Sequence, residues 1–281
     1  MAGEEREEGR IKQILVALDP SAHGLAALEA AARLATALRA ELIGLYVEDA
    51  DVLNLPRISF LRETDALSGE VRPLKSEELE KTVRLQGDRL RRRMEEAVEE
   101  SEVRWSFRVV RGRVRSELLE AAREADLVSL GARSHWMGRD PGTTTRTIVT
   151  RAGKPVMVLR RGAKLGRRVC VLYDGTEEAR EGLVLGARME RVREDADLFV
   201  ILHGPRRETA RLRDEASSLL EDLEVEAEFS ALMSSRPRAV LEHLSYVECG
   251  LVVVPRKRFT EEEGQLRRTL AHIRCPLLLA G

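Results

Sequence analysis

The sequence predicts an α/β protein made of two tandem doubly wound domains, each on a five-stranded parallel sheet with helices on both faces. Three observations carry this reading. Short aliphatic runs alternate with helically spaced apolar residues from Ile14 to Leu159. The alternation restarts at Val169 and continues to Leu279. The two runs also begin and end alike: Ile14–Ser21 mirrors Val169–Thr176, and Lys154–Leu159 mirrors Cys275–Leu279. Strand alternating with helix is the pattern of parallel crossover units, and self-similarity at this scale is a duplication.

Met1 to Arg10 reads as a frayed acidic tail. Ile14–Leu18 is aliphatic enough for a strand covered on both faces, and Asp19-Pro20-Ser21 ends it. Leu25–Leu38 has helical spacing with alanines at most buried positions, and Glu41–Val47 is the second strand. Glu48–Gly69 is irregular and contains Pro56. A long helix starts at Ser76 and carries an apolar stripe, Leu79, Val83, Leu90, Met94 and Val98. Its Arg89–Arg93 cluster reads as a solvated face paired with Glu95, Glu96 and Glu99. Val103–Val110 is the third strand, Ser116–Ala125 a helix and Leu127–Leu130 the fourth strand. A loop, a helix from Thr145 to Arg151 and a fifth strand over Lys154–Leu159 close the first repeat. Arg160–Arg168 is a short basic linker. The second repeat then runs through strands near Val169, Ala196, Val225, Leu251 and Cys275, with helices over Glu177–Arg191, Glu208–Leu223 and Pro237–Val247.

The totals set bounds on function. A chain of 281 residues suits two domains, and 43% hydrophobic with 34% charged residues is a soluble globular composition. With 47 basic and 48 acidic residues, the net charge of -1 gives no general attraction to nucleic acid or anionic lipid, so neither is expected as a partner. Cys170, Cys249 and Cys275 are far apart and form no CxxC pair, so buried reduced thiols are expected. No apolar run reaches membrane-spanning length and the N-terminus has no signal-like core, which makes the cytoplasm the default expectation. The five histidines are scattered. There is no HExxH, no GxSxG elbow and no Gly-Lys-Ser/Thr P-loop. No enzyme with substantial turnover is expected, although slow ATP hydrolysis is left open.

The strand Leu127–Leu130 breaks at Gly131 before a polar loop. In an open α/β sheet, ligands sit beyond the carboxyl ends of the strands. Asp19 and Gly131 end the first and fourth strands. Asp19 serves equally as a turn or helix-cap residue before Leu25–Leu38.

These residues resemble the universal stress protein family in a tandem two-domain form. The carriers are Ile14–Ser21, Val109-Val110-Arg111-Gly112, Ala125–Gly131 and Gly153–Leu159, in that order and spacing. The resemblance implies an adenine nucleotide alpha hydrolase-like fold in which the final edge strands pair. In a tandem chain that pairing makes an internal pseudo-dimer. Many members bind ATP through Gly, two residues, Gly, nine residues, Gly, then Ser or Thr. Here Gly131, Ser134, Thr144 and Thr145 stand at those places, so two glycines are replaced by hydroxyl residues. Gly138 and Gly142 lie inside the loop, and Gly142-Thr143-Thr144-Thr145 offers a shifted cradle. Arg133, Arg139 and Arg146 supply positive charge. Residue by residue, the resemblance also implicates Asp19 beside the adenosine and Val47 beside the base. The implied cofactor is ATP or another adenine nucleotide, carried with Mg.

The expected domains are 11–160, holding the nucleotide site, and 167–281, a degenerate repeat. In the second repeat Pro255 replaces the strand-end glycine and removes a backbone donor. Arg256, Lys257 and Arg258 after it read as a solvated basic loop. The implied function is that of a cytoplasmic stress-response protein binding a nucleotide in its N-terminal domain. The alternative is a nucleotide-independent interaction or scaffold module. In that case Glu48–Ser101 carries the contacts to a protein partner or to a second copy in a homodimer.

Overall fold

The structure, a computed structural model, describes residues 11–58, 62–64, 69, 71–132, 143–193, 196–233, 237–260 and 265–281. In the first half, β1 (Gln13–Leu18), α1 (Ala22–Leu38) and β2 (Glu41–Asp49) form the opening crossover. A short α2 (Ala50–Leu53) and a small hairpin, β3 (Arg62–Thr64) with β4 (Val71–Pro73), lead to the long α3 (Ser76–Val98). Next come β5 (Trp105–Gly112), α4 (Val114–Ala122), β6 (Leu127–Gly131), α5 (Thr143–Arg151) and β7 (Val156–Leu159). The second half begins with β8 (Arg168–Tyr173), α6 (Glu177–Arg191), β9 (Asp197–His203), α7 (Thr209–Glu221) and β10 (Ala227–Leu232). It ends with α8 (Pro237–Tyr246), β11 (Leu251–Pro255), α9 (Arg256–Thr260), α10 (Gln265–His272) and β12 (Leu277–Ala280).

Ten strands form one sheet in the order β10-β9-β8-β11-β12-β7-β6-β1-β2-β5. Each half has the same internal order, and every pair within a half is parallel. The halves meet where β7 and β12 run antiparallel, with Leu277 opposite Val158 and Leu279 opposite Val156. The final-strand pairing implied by the resemblance is therefore made inside the chain.

Apolar residues pack on both sheet faces, under α1, α3, α6 and α7 on one and α4, α5, α8, α9 and α10 on the other. This explains why the central strands read as unbroken aliphatic runs rather than alternating ones. Each fully buried aliphatic side chain contributes about 1.5–3 kcal/mol. Ser21 caps α1 by accepting from Gly24 N at 3.0 Å. Close packing sets two glycines. A Cβ on Gly44 of β2 would lie 2.4 Å from the Met94 sulfur, so Gly44 is the hole into which α3 inserts that side chain. Gly87 lets α3 sit against the Tyr46 ring, 3.1 Å from where its Cβ would be.

Three expectations change. Cys170 and Cys249 are joined in a disulfide, with Cα atoms 5.9 Å apart, instead of being reduced thiols. The cause is the topology: β8 and β11 are neighbours, and Gly250 N donates to Arg168 O at 2.7 Å, which brings Cys249 beside Cys170. Cys275 is a free thiol. Part of the irregular stretch after Glu48 is ordered as α2 and the small hairpin, elements too short to show a period. The basic residues after Pro255 start α9 instead of forming a solvated loop. Arg256 is buried there and donates through Nη2 to Lys154 O, tying the second half to the turn before β7. The arginine-rich face of α3 is as expected: Arg91 pairs with Glu95 at 3.3 Å and Arg93 with Glu96 at 3.0 Å, all exposed.

Candidate functional site

A cavity of about 890 Å³ opens beyond the carboxyl ends of β1, β2 and β6. Ala17, Asp19, Val47, Leu130 and Gly131 come from those strand ends. Val83 and Gln86 of α3 close one side, and the starts of α4 and α5 close another. The crevice lies where the strand order turns back from β6–β1 to β1–β2, the usual ligand position in such sheets.

Local bonding fixes its floor. Asp19 Oδ1 accepts from Ser21 N at 2.8 Å, so the carboxylate shapes the turn into α1. Gly24 must be a glycine, because a Cβ there would lie 2.5 Å from Asp19 Oδ1. Gly131 is held by packing as well: its Cβ would be 2.8 Å from the His23 carbonyl carbon and 2.9 Å from Gly24 N. Thr145 is buried, and its hydroxyl donates to Gly131 O at 3.1 Å, docking the first turn of α5 on the strand end. Tyr46 donates from its hydroxyl to Val83 O at 3.1 Å. Burial, with the nearby Glu48 carboxylate adding to it, pushes the Tyr46 phenol up to about 12.

The strand ends give the cavity an apolar lining, with Ala17, Val47 and Leu130 beside Asp19. Around its mouth stand Thr143, Thr144, Arg113 and Arg146, together with Asp49 and Asp51. Arg113 is 3.9 Å from Asp51, both exposed. The cavity thus combines apolar side chains at the strand ends with charged and hydroxyl-bearing side chains at the helix starts. Among the described residues no group of three or more His, Cys, Asp or Glu could hold a metal ion.

Of the residues implicated by sequence, Asp19, Val47, Gly131, Thr144 and Thr145 line this one cavity. Arg133, Ser134 and Gly142, with Gly138 and Arg139, lie outside the described residues. Sequence reasoning missed Tyr46, Gln86 and the start of α4. The signal for α4 was Gly112 ending a strand just before a helix, the same strand-end position that singled out Gly131.

The second half has a different arrangement at the matching place. Leu18 pairs with Tyr46 and Tyr173 with Leu202, so Asp174 and His203 stand where Asp19 and Val47 stand in the first half. Pro255 likewise corresponds to Gly131, and Arg258 follows it at the distance at which Ser134 follows Gly131. These three positions contact one another. Arg258 Nη1 is 3.1 Å from Asp174 Oδ2, and its Nη2 is 3.1 Å from His203 Nε2. A guanidinium only donates, so His203 Nε2 is the acceptor. Asp174 also accepts from the Thr176 hydroxyl at 2.6 Å. Here the chain's own arginine occupies the strand-end crevice.

A profile of the universal stress protein family matches residues 10–160, more than half of the chain. The chain belongs to the universal stress protein family. Its fold is similar to that of a universal stress protein from Archaeoglobus fulgidus DSM 4304, over 96% of this chain and 98% of that one, with TM-score 0.72 and 13% identity. It is also similar to the cytoplasmic domain of a prokaryotic cation chloride cotransporter, over 96% and 95% of the two chains, with TM-score 0.60 and 14% identity. At these identities the likeness is one of fold. Comparison with curated proteins finds no match. Among the described residues, no helix is long and apolar enough to cross a membrane.

Proposed function

We propose that this universal stress protein binds one adenine nucleotide per chain, in the crevice of a domain spanning 11–160, and acts in a cytoplasmic stress response as a binding protein rather than an enzyme. The observation that carries the reading is the convergence of Asp19, Val47, Gly131, Thr144 and Thr145 on one cavity of nucleotide size. In this reading Val47 and Leu130 flank the base and Asp19 meets the ribose. The phosphates lie at the start of α5, where backbone N–H groups and the Thr144 hydroxyl favour an anion. Mg2+ would ride on the phosphates. The domain spanning 167–281 serves as the built-in partner, and its own crevice is taken by Arg258.

Calorimetry with ATP, ADP and AMP tests this. One site per chain is expected, weakened about tenfold by Asp19→Asn, which keeps an acceptor for Ser21 N while removing the charge. Val47→Trp, which fills the space at the strand ends, should abolish binding without loss of fold. Wild-type protein that binds none of the three nucleotides, or a stoichiometry of two, would overturn the reading.

A further inference from the structure

The cavity does not end at the strand ends. It continues outward as a groove between α4 and α5. On α5 the lining residues Thr143, Arg146, Thr147, Thr150 and Arg151 recur at helical spacing, so one whole face of this helix borders the groove. From Thr143 to Thr150 that face rises about 10 Å. Across from it α4 presents Arg115. The ion pairs on the arginine-rich face of α3 show what exposed arginines do here when carboxylates are in reach. No ion pair or hydrogen bond joins the Arg115, Arg146 or Arg151 guanidinium to another described residue, although all three line one depression.

We propose that this groove binds a phosphoanhydride chain longer than a triphosphate, with Arg115, Arg146 and Arg151 as its cationic contacts. Arginines along two helices suit a linear polyanion whose charges repeat, because each guanidinium can form paired N–H bonds to successive phosphates. An apolar or cationic ligand would leave three charges without partners. The chain of phosphates has two sources, a nucleotide bearing more than three phosphates or free inorganic polyphosphate. The first source rests on the nucleotide reading of the crevice; the second does not.

The test measures affinity for ATP, adenosine 5′-tetraphosphate, diadenosine tetraphosphate and linear polyphosphate, in wild type and in the double variant Arg115→Ala/Arg151→Ala. The expected result is that at least one tetraphosphate binds about tenfold or more tighter than ATP. The double variant should lose that advantage while keeping its affinity for ATP and its melting temperature. Binding of free polyphosphate alone, lost in the double variant, would support the groove and remove the nucleotide reading. ATP binding with no gain from extra phosphates, or a gain that survives the double variant, would overturn the groove while leaving the nucleotide reading intact. No binding of any of the four would overturn both.

Discussion

Arg258 is bound to Asp174 at 3.1 Å across the strand ends of the second half, and Asp174 is the counterpart of Asp19 in the open crevice. The two side chains are 25% and 10% exposed, so neither charge is well solvated alone. Arg258→Ala leaves a largely buried carboxylate without its cation and should cost about 1–3 kcal/mol. Asp174→Asn combined with Arg258→Ala should cost less than the sum of the single changes. Urea unfolding of the four proteins measures this coupling; strictly additive changes would mean that the pair contributes nothing.

The Cys170–Cys249 bond closes a long loop whose ends are 79 positions apart. Loop-closure entropy for that length gives about 4.5 kcal/mol, and measured values usually fall lower. Cys249→Ser or full reduction should therefore lower the unfolding midpoint by the equivalent of about 2–4 kcal/mol. A thiol count in denaturant should give one thiol before reduction and three after. Burial pushes the Cys275 thiol up to about 11, so in the native protein at pH 8 it should react slowly with a thiol reagent. Three thiols without reductant would contradict the bond.

Tyr46 gives the alkaline side of the stability curve. Its phenol is raised from 10.0 to about 12 in the folded state, chiefly by burial. The unfolded chain therefore ionises first as pH rises. The stabilising contribution is whole below pH 10 and is lost between about 10 and 12. Tyr46→Phe should flatten that part of the curve while removing the bond to Val83 O, a loss of about 1 kcal/mol at neutral pH. Unfolding free energy followed from pH 8 to 12 decides; equal slopes in both proteins would rule this out.

Gly131 has a structural duty that is independent of any ligand. Gly131→Ala sets a methyl group 2.8–2.9 Å from backbone atoms of His23 and Gly24, which sit at the fixed start of a helix and cannot yield as a flexible side-chain tip does. The expected cost is about 1–3 kcal/mol, read as a lower melting temperature without added ligand. A melting point equal to that of wild type would show that α1 can shift.

The succession of strands and helices and the duplication were legible because buried parallel strands leave unbroken aliphatic runs and amphipathic helices leave a long periodic trace. Short elements made mostly of polar residues leave no such trace, which is why the hairpin at Arg62–Pro73 and the helix starting at Arg256 were not seen. Asp19 and Gly131 stand at strand ends that the sequence shows, whereas Val47 came only with the family resemblance. The Asp174–Arg258 and Cys170–Cys249 pairs join residues 84 and 79 positions apart, and nothing local in the sequence marks one partner for the other. The run Pro255-Arg256-Lys257-Arg258 looks like solvent-facing polarity until the neighbouring strands are in place. Of the arginines of α4 and α5 only Arg146 stood out in the sequence, and the packing of the two helices is what puts Arg115 and Arg151 on the same groove.

The antiparallel junction of β7 with β12 also has a meaning for descent. In a dimer of identical chains, every substitution near the two-fold axis is made twice, so both sites must accept it. Once the two copies share one chain, that constraint is gone. A proline and an arginine can then fill the strand ends of one half while the other half keeps its crevice open.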